Sequence, residues 1–262
     1  MTVPVDASKY DRPSIVRPEV LAAHGLETGA YAAVPPPTAA IMCYHRGLAA
    51  RLLETRAATT IPGFFGDTHL LDSTGGTVAL VAEFGIGSPV AAVMLEDLVA
   101  LGCRRIISIG TCGGMSQDLA VGELVVPDRA VRDEGTSHHY LPSGEPAVAH
   151  GELTSRLAAQ LDRRGIDHRR SATWTTDAIY RETADEVRAH VAAGVDVVEM
   201  EAAALFAVGQ VRGAEVASLL VVSDIIDTLD GSWVPEFHGE LIGDRLELAF
   251  EVALAVLANA DS

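Results

Sequence analysis

Two glutamates, Glu199 and Glu201, stand where the apolar run VDVV gives way to the helix-forming run AAALFAV. Residues two apart at a strand end share one side. Two carboxylates aimed together into a cavity could each accept short, charge-assisted hydrogen bonds from neighbouring hydroxyls, such as those of a sugar. A helix starting just beyond them would stabilise their charge by roughly 0.3–1 kcal/mol. Asp224, beside Ser223, closes the apolar run VASLLVVSD. That puts it at the carboxyl edge of a sheet, where the ligand sites of open α/β folds gather. A carboxyl group against an apolar floor can hold its proton near neutrality and pass it to a leaving group. A helix N-cap is the other use of a lone aspartate there.

Three more stretches could carry chemistry. In FGIGSP, Gly85 and Gly87 follow a predicted strand and precede a predicted helix. They would let backbone N–H groups approach an anion or a sugar, or they simply make a tight turn. A dinucleotide fingerprint is excluded because Val90 occupies the place of its third glycine. Gly110-Thr111-Cys112-Gly113-Gly114 has the shape of a nucleophile elbow with a cysteine at its tip, which makes a cysteine-dependent hydrolase the rival reading. An elbow needs a helix directly after the turn, whereas MSQDLAVG leads to another strand, and a buried core cysteine is the competing fate. DEGTSHHY, residues 133–140, could bind a metal or cap a polar pocket, or form a solvated loop. His138 and His139 are adjacent and would point to opposite sides of an extended segment, so the spacing is not that of a metal site and none is expected.

The elements that must position these groups follow from periodicity. Short apolar runs predict strands at Tyr31 to Val34, Val78 to Ala82, Arg105 to Ile109, Glu123 to Val126 and Glu215 to Val222. Helical patterns cover 38–57, 88–101, 150–164, 182–193, 200–212 and 236–259. The alternation implies a mixed α/β sheet covered on both faces. GTCGGMSQDLAVG reads as a loop lining a cavity. Prolines at 4, 13 and 18 make residues 1–30 an expected extended arm, leaving 31–262 as a single domain.

Composition narrows the classes. No apolar run approaches the ~20 residues that span a bilayer, and the N-terminus lacks the apolar core of a signal peptide. Three cysteines without a CxxC pair suggest free thiols in a reducing compartment, and a cytoplasmic location is expected. A net charge of −17 repels phosphate backbones, so no nucleic-acid partner is expected. Lys9 is the only lysine and lies in the Pro-flanked N-terminal segment, which argues against a Walker loop or Schiff-base chemistry.

Taken in order, FGIGSPVAAVMLEDLVALG, GTCGG, RDEGTSHHYLP, TWTTDAIYRET, VEMEAAALFAV and VVSD resemble the nucleoside phosphorylase family of uridine and purine nucleoside phosphorylases and nucleosidases. The likeness covers about residues 75 to 225, and RDEGTSHHYLP and TWTTDAIYRET look like a uridine-phosphorylase-like branch. It implies a single-domain, three-layer α/β/α fold with a mixed, partly barrel-like central sheet. It implies that Glu201 accepts hydrogen bonds from ribose hydroxyls, that Met200 packs under the sugar, and that Thr111, Cys112 and Gly113 line the wall. Glu199, Ser223 and Asp177 to Tyr180, Ile179 included, would lie by the base, and Asp224 is similar to the acid that protonates a purine at N7. The uridine enzymes lack that acid. A homo-oligomer, dimer or trimer of dimers, is implied, with a small-molecule nucleoside as substrate, no cofactor, and phosphate as a conceivable co-substrate.

The departures concern the acceptor. Ser108 stands where the family's phosphorylases carry a phosphate-binding arginine, VPPPTAA replaces a GDPxR-like turn, and IPGFFGDTHLL offers no clear third arginine, with Arg46 or Arg56 as the only substitutes in view. Arginine is the preferred bidentate partner of phosphate. The resemblance therefore favours hydrolysis of a purine-type nucleoside, with Gly85, Gly87 and Ser108 around a water or anion pocket and Glu83 as the candidate water-activating acid. Phosphorolysis is the first alternative, and a nucleoside-binding homologue without turnover is another. Ile179 replaces the aromatic residue that commonly stacks on the base.

Overall fold

Runs of small branched side chains with both faces covered make the strands at the centre of one sheet. AAIMC and VALVA are buried at every position, as is most of EVASLLVVSDII. The computed structural model describes residues 5–30, 34–62, 66–226, 233–235 and 239–258. Its strands are β1 (Ala39–Cys43), β2 (Ala58–Pro62), β3 (Asp67–Leu71), β4 (Val78–Ala82), β5 (Arg105–Gly114), β6 (Leu124–Asp133), β7 (Ala147–Val148), β8 (His168–Thr176), β9 (Val195–Glu199), β10 (Glu215–Ile226) and β11 (Trp233–Pro235). Its α-helices are α1 (Pro18–Thr28), α2 (Arg46–Thr55), α3 (Ser88–Ala100), α4 (Gly151–Arg163), α5 (Ala184–Ala192), α6 (Ala202–Arg212) and α7 (Glu240–Ala258).

The sheet runs β11-β10-β6-β8-β9-β5-β1-β4-β3-β2, with β7 on β6. A further parallel pairing of β10 with β5 closes β5, β10, β6, β8 and β9 into a five-strand ring. The sheet is mixed: β5 lies parallel to β1 and β10 but antiparallel to β9. Alternate side chains of each strand serve opposite layers. Ile41, Leu80, Ile107 and Leu219 pack with Leu52 of α2, Leu157 of α4 and Phe250 of α7. Met42, Val81, Ile106 and Val216 pack with Leu95 of α3 and Phe206 of α6. The fold is thus the three-layer α/β/α arrangement with a barrel-like section.

Several expectations are corrected. The helix expected over 38–57 is strand β1 followed by α2. AAIMC is a strand because β4 and β5 hydrogen-bond it on both sides, a tertiary demand that overrides the helical preference of its alanines. Residues 1–30 are not simply an extended arm: Ala7–Asp11 form a 3-10 turn capped by Asp6, and α1 begins at Pro18 and ends on left-handed Gly29. Gly110 to Gly114 belong to β5 rather than to a loop, since β10 pairs with all five and β9 with the last two. Of the strand expected at 31–34, residues 31–33 lie outside the described residues. So do 236–238 and 259 of the last expected helix, which runs over Glu240–Ala258. Strands β2, β3 and β8 had no clear signal in the apolar pattern.

Gly209 lets α6 lie against β10. A Cβ there would stand 2.7 Å from Val216 Cγ2 and 3.2 Å from the Ala214 carbonyl oxygen. Exchanging glycine for alanine inside a helix ordinarily stabilises by roughly 0.5–1 kcal/mol. At this contact Gly209→Ala is expected to destabilise by about 1–3 kcal/mol through overpacking, read as a lower urea midpoint. An unchanged or higher midpoint would show that the helix has room to move.

Candidate active site

Strand β9 delivers the two glutamates. Its Val195, Val197 and Val198 are buried, and it is held between β8 and β5, with Glu199 opposite Thr175 and Val198 opposite Gly113. The Glu199 carboxylate is fully occupied. One oxygen accepts from Thr175 Oγ1 at 2.5 Å and Thr173 Oγ1 at 3.2 Å, the other from the backbone N–H of Glu201 at 2.8 Å and of Ala202 at 2.7 Å. Thr175 Oγ1 in turn accepts from Ala203 N at 2.9 Å. The first turn of α6, whose donors have no intrahelical acceptors, is satisfied from β8 and β9. Burial pushes the Glu199 carboxyl up, while these four hydrogen bonds favour its ionised form.

Glu201 occupies the N-cap of α6 with non-helical backbone angles. Its Oε1 accepts from Gly87 N at 2.6 Å, and Ser88 Oγ donates to the Met200 carbonyl at 2.8 Å, so the starts of α3 and α6 are tied together. Gly87 has φ +100, a value that needs glycine. The N–H expected to meet an outside anion is therefore already met by this chain's own carboxylate. Burial, then the charge of Glu199, raises the Glu201 carboxyl to about 8.

Asp224 reaches the same cavity through a bulge. Val222 pairs with Cys112 and Asp224 with Gly113, so Ser223 is an extra residue in β10. A Cβ on Gly113 would stand 3.2 Å from Asp224 Oδ2 and 3.1 Å from Val198 Cγ1, which is why glycine serves there. Ser223 Oγ donates to Asp224 Oδ1 and Trp233 Nε1 to Oδ2, both at 2.7 Å. Burial pushes the Asp224 carboxyl up, opposed by those two hydrogen bonds.

The cavity holds about 660 Å³. Of the expected residues, Ser108, Thr111, Cys112, Gly113, Ile179, Tyr180, Glu199, Met200, Glu201 and Asp224 line it. Others do not. Gly85 and Gly87 are represented on the wall by Ile86 between them, and Ser223, fully buried, supports Asp224 from behind. Asp177 accepts from Gly135 N at 2.9 Å and secures a loop. Glu83, with positive φ, faces Arg46 at 3.9 Å. His138 and His139 lie elsewhere: Arg132 and the Arg132 carbonyl engage the first, and Lys9 Nζ lies 2.7 Å from Nδ1 of the second. Arg56 is bound to Glu251 and stacked on Phe250. Cys112 is buried and its thiol is pushed well up by burial and by the charge of Asp224, the opposite of an activated nucleophile. Among the described residues no cluster of His, Cys, Asp and Glu could hold a metal ion.

The sequence pattern missed several wall residues, Tyr44 and Glu182 among them. VPPPTAA leads into β1, so the turn that follows the first described strand is Tyr44-His45-Arg46. Tyr44 lines the cavity, packs edge-on against Phe84 with centroids 5.2 Å apart, and covers Gly110, where a Cβ would stand 3.2 Å from its ring. Its hydroxyl is buried without a partner among the described residues. Glu182, just after the 3-10 turn Ile179–Arg181, also lines the cavity, and burial followed by the charge of Asp224 lifts its carboxyl to about 7. A family with Asp177 to Tyr180 at the base pointed to this segment without singling out that acid.

Comparison with known proteins agrees with this architecture. The family model described as Phosphorylase superfamily matches residues 30–258. A purine nucleoside phosphorylase of the DeoD type from Myxococcus xanthus is 32% identical over 214 residues, 80% of this chain and 87% of that protein. A uridine phosphorylase from Treponema pallidum is 32% identical over 157 residues, 56% of this chain and 61% of that protein, so the match spans less than two thirds of that relative. The crystal structure of a uridine phosphorylase from Vibrio fischeri superposes with a TM-score of 0.73 at 24% identity, covering 87% of this chain and 93% of that one.

The Glu201 carboxyl ionises near 4.5 when unperturbed and near about 8 in the fold. The folded state therefore binds the extra proton, and the associated stability, complete below 4.5, is lost as the pH rises through about 8. Gln at this position can still accept from Gly87 but does not titrate. The thermal midpoint of Glu201→Gln should rise relative to wild type between about pH 5 and pH 9; parallel midpoint curves would contradict the shift.

Proposed function

The chain belongs to the phosphorylase superfamily, a family of enzymes that cleave the glycosidic bond of nucleosides, and from that premise we propose that its substrate is a purine-type nucleoside with water as the acceptor. One observation carries this reading: Glu201 and Asp224, one from the β9–α6 junction and one from the β10 bulge, line a single cavity. Breaking an N-glycosidic bond builds positive charge on the ribose and negative charge on the base. An enzyme gains by gripping the sugar beside carboxylates while protonating the departing ring. Glu201 has an oxygen left over from Gly87 for the ribose hydroxyls, with Met200 beneath the sugar and Thr111 beside it. Asp224 marks the base half, with Ile179 and Tyr180 against the ring. Its presence supports a purine, since the uridine enzymes of the resemblance lack this acid.

Water is supported by what surrounds the acceptor side. Among the described residues, neither Lys nor Arg lines the cavity. Ser108 is engaged with Ser218 at 2.6 Å, the Gly87 N–H is occupied by Glu201, and the Tyr44 ring covers Gly110. A phosphate dianion would meet carboxylates where it needs guanidinium groups. Phosphorolysis is the second reading, favoured by the names of the relatives. No cofactor is invoked. Among the described residues no helix is long and apolar enough to cross a membrane. We place the protein in the cytoplasm as a homo-oligomer, a dimer or trimer of dimers. The exposed apolar side chains of Ile86 and Tyr180 at the cavity support cover by a second copy.

Base release from a nucleoside panel, followed by chromatography with and without phosphate, tests the proposal. Purine release independent of phosphate is expected, and strict phosphate dependence would establish the second reading instead. Asp224→Ala should lower turnover of a purine nucleoside by about 10²–10⁴-fold while calorimetric nucleoside affinity changes far less; full turnover in this variant would remove Asp224 from the mechanism. Cys112→Ala should keep full activity.

A further inference from the structure

A proton donor for the departing base needs an oxygen that can carry a proton toward the ring, and Asp224 is poorly placed to be that donor alone. Its Oδ2 accepts from the indole N–H of Trp233, and its Oδ1 from the Ser223 hydroxyl. An indole N–H can only donate, so a proton on that side of Oδ2 would oppose it. Burial raises this carboxyl, and the two fixed donors oppose that rise and favour its ionised form. Glu182 is the complementary case. It lines the same cavity, is half-buried, and has no hydrogen-bond or ion-pair partner among the described residues. The charges nearest it are carboxylates, those of Asp224 from β10 and Glu186 from α5, which disfavour a further negative charge and keep its proton in place near neutrality.

Resting on the reading that this cavity cleaves a nucleoside, we propose that Glu182 is the catalytic acid: it hands its proton to the departing heterocycle, while Asp224 stays ionised and accepts an N–H from the same ring. The balance is simple. The C1′–N bond breaks and its electron pair goes to the base; the Glu182 O–H breaks as the base N–H forms; a water oxygen bonds to C1′. The proton shed by that water returns to the Glu182 carboxylate through solvent, to which Glu182 is partly open. Asp224 acts in two ways here, as an acceptor that orients the base and as a charge that keeps Glu182 protonated. This also identifies the substrate class more closely: a base that offers both a ring nitrogen to be protonated and an N–H to be accepted.

Two leaving groups separate this role from a structural one. A purine nucleoside needs its base protonated, whereas a para-nitrophenyl riboside releases a stable phenolate without help. Glu182→Gln is nearly isosteric. It is expected to lose about 10²-fold in turnover on the purine nucleoside and to stay within about threefold of wild type on the aryl riboside, whose retained cleavage also reports a folded protein. Equal losses on both substrates, or no loss on either, would overturn the proposal. Wild-type protein that releases no base from any nucleoside would instead remove the reading of function beneath it, a result visible before any variant is made.

Discussion

The buried carboxylate of Glu199 is the constraint on which the rest of the site depends. It ends a strand inside the fold and collects two threonine hydroxyls from β8 and two backbone N–H groups from the start of α6. A buried charge without such partners would be untenable, and with them it becomes a rigid joint between sheet and helix. That joint fixes the residues after it. Met200 and Glu201 have no freedom to wander, because the chain on either side of them is bonded to the same carboxylate. Glu201 then carries the constraint onward to α3 through Gly87, so two helices begin at one place because one acid is satisfied there.

The ring of β5, β10, β6, β8 and β9 turns that local joint into a cavity. Closure brings the ends of β9 and β10 against the same glycine pair of β5: Val198 pairs with Gly113, and so does Asp224. Gly113 is where the two halves of the site come within contact distance: a Cβ there would press on Val198 Cγ1 at 3.1 Å and on Asp224 Oδ2 at 3.2 Å. The bulge at Ser223 has a matching role. Were β10 to pair without a bulge, Ser223 would stand opposite Gly113 and the Asp224 carboxylate would point to the other face of the strand.

Much of this was legible in the residues, and the failures share a cause. Strand β4 falls on the predicted Val78–Ala82, and the acids of VEMEAAAL and VVSD are recognisable because each stands at an abrupt change from apolar run to polar end. These are local signals. AAIMC reads as a helix by its alanines and becomes a strand because two neighbours pair with it, a fact held in distant residues. His138 and His139 look like chemistry by composition, yet Arg132 and Lys9 take them, the latter from 130 positions away. Glu182 is the converse. Nothing in TWTTDAIYRET distinguishes it from Asp177, and only the 3-10 turn and the closed ring decide that the former reaches the cavity while the latter pins a loop.

The four carboxyl groups around the cavity, Glu182, Glu199, Glu201 and Asp224, pose a charge problem whose solution bears on the whole reaction. Four adjacent negative charges in a half-enclosed space would repel one another strongly. The chain resolves this by unequal environments. Burial pushes all four carboxyls up, but Glu199 and Asp224 each receive fixed donors that oppose the rise, while Glu201 and Glu182, with fewer donors, are lifted to about 8 and about 7. Pairs of acids pushed apart in this way can divide the labour of one reaction, one group remaining an anion while its neighbour keeps a proton to give. On the reading proposed above, the proton of Glu182 faces a base that becomes anionic, ionised Asp224 orients that same ring, and Glu201 meets the ribose hydroxyls. The same arrangement is hostile to a phosphate dianion and indifferent to water, so the choice of acceptor and the supply of the proton come from one distribution of charge.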